Sequence, residues 1–106
     1  MSYRTNVEEQ TLKNSAFRKV LNTTKEMQLV LMSLKTGEEI GMEKHDGITQ
    51  FIRIEKGDAI AITGRNGEKK TALVGGDAIM IPGGAWHNIV AVSPVKLYTL
   101  YAPPAH

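Results

Sequence analysis

From residue 26 onward, short apolar runs alternate with turn signals at nearly even spacing. The runs are Gln28–Leu34, Glu39–His45, Thr49–Glu55, Ala59–Thr63, Lys70–Val74, Ala78–Ile81, His87–Val92 and Lys96–Tyr101, which predicts about eight strands. Between them stand Thr36-Gly37, Asp46-Gly47, Lys56-Gly57-Asp58, Asn66-Gly67, Gly75-Gly76-Asp77, Pro82-Gly83-Gly84 and Ser93-Pro94. Short strands separated by turn signals roughly every 8–12 residues belong to sandwiches and barrels. No stretch beyond residue 25 keeps a helical period, so the expected class is all-β. Asn66-Gly67 predicts a two-residue hairpin, because both central positions of a type I′ turn need positive φ. Residues 1–20 are polar and weakly patterned, and predict a short N-terminal arm or helical turn.

A chain of 106 residues reads as one domain, 1–106. Its size allows both a core and an interior pocket. The net charge of +2 comes from 13 basic against 11 acidic residues, and the two signs are interspersed. That is not the basic stripe a nucleic-acid or anionic-membrane surface demands, and an aromatic content of 6% argues against an oligonucleotide-binding barrel. No apolar run approaches the ~20 residues of a membrane span, and the first residues carry no signal-peptide pattern. The expectation is a cytoplasmic protein with neither nucleic acid nor membrane as partner. There is no cysteine, so a metal would have to sit on nitrogen and oxygen.

Chemistry concentrates around two interior histidines. His45 follows Glu43 by two residues, and in a strand such residues share a face. Asp46-Gly47 then turns the chain, and Gln50 opens the next strand on a face shared with Ile52 and Ile54. His87 follows the Pro82-Gly83-Gly84 turn and shares a face with Ile89 and Ala91. If the sheet curls, one carboxylate, one amide and two imidazoles converge inside a barrel. Two imidazoles and a carboxylate are also the donor set of the non-haem iron facial triad. Strand alternation puts Phe51 opposite Gln50, outside the cavity, where an aromatic side chain suits a subunit contact and so a homodimer. Gly64–Thr71 fails as a phosphate loop, since Lys69 stands where the motif needs glycine and a hairpin stands where it needs a helix.

The spacing resembles the cupin family over roughly residues 26–101. Its first motif, G-x5-H-x-H-x4-E-x6-G, falls on Gly37, Glu43, His45, Gln50 and Gly57 (37–57). Its second, G-x5-P-x-G-x2-H-x3-N, falls on Gly76, Pro82, Gly84, His87 and Ala91 (76–91). The resemblance implies a double-stranded β-helix, or jelly-roll barrel of the RmlC-like kind. It also implies a metal-ligand set of Glu43, His45, Gln50 and His87. The set departs from the family's three histidines and one glutamate. The carboxylate has moved to the first histidine position and an amide replaces it at its usual one, so the donors still carry a charge of −1. Such donors suit a divalent transition metal: Fe, Mn, Ni, Co or Zn.

For activity, the resemblance implies a metal-binding cupin acting as a metal-dependent enzyme on a small organic molecule, with oxygenase-like chemistry ahead of isomerase or lyase chemistry. The alternative is a non-catalytic small-molecule or sugar-binding cupin. Trp86, Ile52, Met32 and Met80 are the expected lining of the substrate pocket. His106, at the end of Pro103-Pro104-Ala105-His106, reads as a free terminal residue.

Overall fold

The computed structural model describes residues 2–104. Its first element is a helix, α1 (Val7–Lys13), capped by Asn6, whose side chain accepts from the Glu9 amide at 3.0 Å. Glu8 and Glu9 in the first turn and Lys13 in the last complement the helix dipole. Eight strands follow: β1 (Arg18–Thr23), β2 (Gln28–Leu34), β3 (Thr49–Lys56), β4 (Asp58–Thr63), β5 (Lys69–Val74), β6 (Ala78–Ile81), β7 (His87–Ala91) and β8 (Val95–Ala102). They form a five-stranded sheet, β1-β2-β8-β3-β6, and a three-stranded sheet, β5-β4-β7, with all pairings antiparallel. The expected all-β double-stranded β-helix is the architecture observed. No helix among the described residues is long and apolar enough to cross a membrane.

The core lies between the sheets. β8 alternates strictly, burying Val95, Leu97, Thr99 and Tyr101, and β3 buries Gln50, Ile52 and Ile54. Val30, Met32 and Leu34 of β2 meet them, while Ala59, Ala61, Leu73, Ile89 and Ala91 come from the opposite sheet. α1 packs outside, against β8, β3 and β2. On that side Lys96 Nζ donates to the Asn14 carbonyl and, at 2.9 Å, to Ser33 Oγ.

Three local expectations are corrected. The run Glu39–His45 is not a continuous strand; it touches β7 through isolated bridges, Glu39 to Val90 and Glu43 to His87. Gly41 lies between them at φ +92°, which breaks the extended run, and its amide donates to Asn88 Oδ1 at 2.9 Å instead of to a ladder carbonyl. The strand count is restored by β1, which period-two reading misses because an edge strand with an exposed start shows no alternation. The Asn66-Gly67 hairpin does form between β4 and β5, but Thr63 pairs Lys69, so residues 64–68 make a five-residue loop. Positive φ falls on Gly64 and Gly67, not on Asn66.

Candidate metal centre

Glu43 and His87 face each other across the bridge beside β7. Each amide donates to the other's carbonyl at 2.9 Å, so their side chains leave the backbone on the same side. His45 lies two residues beyond Glu43 and returns to that side. Its carbonyl accepts from Ile48 N at 3.3 Å and Gly84 N at 3.0 Å, which ties the Asp46-Gly47 turn to the Pro82-Gly83-Gly84 turn. The two turns sit so close that a Cβ on Gly83 would stand 3.1 Å from Ile48 N. Glycine there permits the contact that brings the two imidazoles together, with ring centroids 5.5 Å apart.

The side-chain geometry is that of ligands around a common point. Glu43 Oε1 lies 3.1 Å from His45 Nε2 and 3.7 Å from His87 Nε2, and the three donor atoms all fall within 4.8 Å of one another. Donors bound at ~2.0–2.2 Å to one ion stand roughly 2.8–3.1 Å apart in octahedral and roughly 3.3–3.6 Å apart in tetrahedral geometry. The shorter separation matches the first range and the longer lies about a tenth of an ångström beyond the second. Despite their proximity to the carboxylate, His45 Nε2 and His87 Nε2 are buried without a directed hydrogen bond. His87 Nδ1 is 3.0 Å from the Ala85 carbonyl, which can only accept, so Nδ1 carries the ring proton and Nε2 presents its lone pair to the hollow.

Gln50 is 1% exposed and enters from β3. Its Nε2 donates to Thr99 Oγ1 at 2.9 Å, leaving Oε1 buried without a partner. Orphaned buried polar atoms are costly, and the two imidazole Nε2 atoms beside one carboxylate fit a cation that the protein's own atoms do not supply. The donor set therefore fits a divalent ion. In the metal-free protein, where protonated imidazoles face it, the Glu43 carboxyl is held below the usual carboxylate range, first by hydrogen bonding to His87 and further by His45, against the opposing effect of burial. Burial and the Glu43 charge push the Tyr101 phenol above its ordinary range.

A hollow of about 200 Å³ opens beside these donors, lined by Glu43, His45, Met32, Ile40, Tyr101 and the pair Phe17-Arg18. Of the four residues expected to form its walls, Met32 does so. Ile52 is fully buried in the core, on the same face as Gln50. Met80 is 66% exposed on the outer face of β6, because strand alternation turns it away from Ile81. Trp86 does not line the hollow: Lys44, between Glu43 and His45, has its Nζ 5.7 Å from the Trp86 ring centroid, so alternation carries both to the other side. His106 lies outside the described residues. Tyr101 is one residue that the sequence reading does not single out, although its alternation with Thr99 and Leu97 signals an inward ring; that ring stands edge-on to His45 at 5.7 Å. Asn88 is a second residue that sequence pattern does not single out. It is buried, holding Gly41 through Oδ1 and Glu39 through Nδ2, and so shapes the segment that delivers Glu43.

The family model described as Cupin domain matches residues 30–101. Protein L612 of Acanthamoeba polyphaga mimivirus is 50% identical over 107 residues, which take in 98% of this chain and 67% of the viral protein. YrkC of Bacillus subtilis (strain 168) is 41% identical over 106 residues, covering 95% of this chain and 57% of its own length. The chain thus spans little more than half of one of these relatives and about two thirds of the other. Among solved structures, that of BH2720 from Bacillus halodurans superposes with a TM-score of 0.94 at 39% identity, covering 100% of this chain and 84% of the other.

Proposed function

This chain belongs to the cupin domain family, and from that premise we propose that it holds a divalent transition-metal ion on Glu43, His45 and His87, with Gln50 as a fourth donor, and acts as an oxygenase-like enzyme on a small organic molecule. The observation that carries the reading is the convergence of one carboxylate and two imidazoles while His45 Nε2, His87 Nε2 and Gln50 Oε1 remain buried without a directed hydrogen bond. A bound ion would supply Lewis acidity and open coordination positions to a substrate. The chain does the rest. The Ala85 carbonyl fixes the His87 tautomer and Thr99 holds the Gln50 amide. Met32, Ile40 and Phe17 give the hollow its apolar lining. The neutral amide of Gln50 would be the weakest donor of the set to a bound ion.

Elemental analysis of tag-free protein tests the metal assignment. About one transition-metal ion per chain is expected, and His45→Ala and His87→Ala should each abolish it while circular dichroism stays that of a β protein. Retention of full occupancy by both variants would overturn the ligand set. Oxygen uptake with diols, catechols and keto-enols then separates enzyme from binder, since a loaded protein that turns over none of them favours the non-catalytic reading.

The proposed homodimer would use the outer face of β3. There Met27, Thr49, Phe51, Met80, Leu100 and Ala102 line an apolar groove of about 280 Å³, with Met27 and Met80 markedly exposed.

A further inference from the structure

Arg18 is the cation that lines the hollow together with Glu43 and His45, yet among the described residues it makes no ion pair and no side-chain hydrogen bond. It stands on β1 opposite Met32, whose side chain faces the same hollow, so residue 18 shares that inward side. The metal-ligating candidates Glu43 and His87 approach from the facing side, along β7. The hollow therefore has a cation and a donor cluster carried by different sheets, with Met32, Ile40 and Phe17 also in its lining.

Charge counting sharpens this. Among the described residues Glu43 is the one carboxylate lining the hollow, and a divalent ion on its donor set would leave a net charge of +1 there. Arg18 raises the charge around the hollow to +2. A pocket with that balance repels cations and leaves a neutral guest facing an unmatched guanidinium. An oxyanion, in contrast, meets a planar fork of donors suited to bidentate recognition.

We propose that the hollow selects a two-ended anionic small molecule, whose one polar end meets the Glu43–His45–His87 cluster and whose other end, a carboxylate, is held by Arg18. This rests on the metal reading above and adds the substrate class to it. The apolar side chains that share the lining suit a short hydrocarbon link between the ends. Arg18 is then a specificity-determining residue, and the edge strand β1 exists in the site to carry it.

The test uses the full chain loaded with Mn(II), with metal content measured first. Succinate and succinamate, in which one carboxylate is exchanged for a carboxamide, are titrated by calorimetry. Wild-type protein should bind succinate at least about tenfold more tightly, a difference typical of one charge-assisted anchor. Arg18→Gln should keep its metal and lose the preference, and Arg18→Lys should recover only part of it, having charge without the fork. Equal binding of the two probes by loaded wild-type protein, binding of neither, or a preference that survives in Arg18→Gln would overturn the inference while leaving the metal assignment standing. A chain that takes up no metal would overturn both.

Discussion

β3 and β8 present two opposite anomalies at the same end of the same sheet. On the inward side, Gln50, Thr99 and Tyr101 are polar side chains taken almost fully out of water, and the Gln50 carbonyl has no partner there. On the outward side, one residue along, Phe51 pairs with Leu100 and joins Met27 and Met80 in an apolar groove left open to water. Core positions elsewhere on these strands follow the ordinary rule, with Ile52, Ile54, Val95 and Leu97 buried and apolar. The difference teaches that one strand register can serve two incomplete surfaces. The inner one lacks a charge to satisfy its donors, and the outer one lacks a cover for its carbon.

The largest expected effect comes from adding charge to the inner surface. Gln50→Glu should tighten metal binding about tenfold or more, because affinity of such sites follows ligand charge. In the metal-free protein the same change should lower the thermal midpoint, since it places a second carboxylate in a site only 1% exposed. Metal titration and melting curves, with and without chelator, check both signs. If affinity is unchanged, Gln50 is not a ligand and the inward anomaly is only a core hydrogen bond.

A smaller effect should appear on acidification of the metal-free protein. The Glu43 carboxyl is held below its ordinary value of 4.5 in the folded state. A depressed carboxyl contributes stability that is fully present above the unfolded value and is lost as pH falls through the folded one. Wild-type protein should therefore lose stability relative to Glu43→Gln between about pH 5 and pH 3. The side chain is 35% exposed, so solvent screening keeps the effect modest. Parallel acid-limb melting of the two proteins reads it, and coincident curves would remove the electrostatic distinction between the inner and outer surfaces.

The smallest effect on folding belongs to the outer surface. Met80→Lys alters a side chain that is 66% exposed, and should change monomer stability by no more than about 0.5 kcal/mol. Metal content should stay at the wild-type level. Sedimentation should shift from dimer toward monomer, because a charge placed in the groove opposes its burial. An unchanged mass would leave the groove without a role in self-association.

Much of this contrast is legible in the sequence. Period-two alternation predicts that Gln50, Ile52 and Ile54 share a side and that Phe51 takes the other, because side chains of a strand alternate whatever the strand packs against. The spacing of Glu43 and His45, and the glycine turns before His87, bring the three ligand candidates into view for the same local reason. β1 is invisible to alternation because an edge strand buries little, and Arg18 is hidden with it. Met80 and Trp86 depart from their expected place in the pocket wall because apolar character says that a residue seeks cover, not which side of a thin sheet supplies it.

The order of residues by itself determined seven of the eight strands, most of the turns between them and the candidate metal donors, since these depend on alternation, on glycine's backbone freedom and on side-chain chemistry within a few neighbours. Tertiary structure alone decided that Glu43 pairs with His87 across 44 positions of sequence numbering, that the Ala85 carbonyl aims the His87 lone pair, and that Arg18 and Tyr101 close the hollow. Those outcomes hang on how two sheets curl and which turns touch. That is a balance of packing and hydrogen bonding between distant segments, which no local pattern encodes.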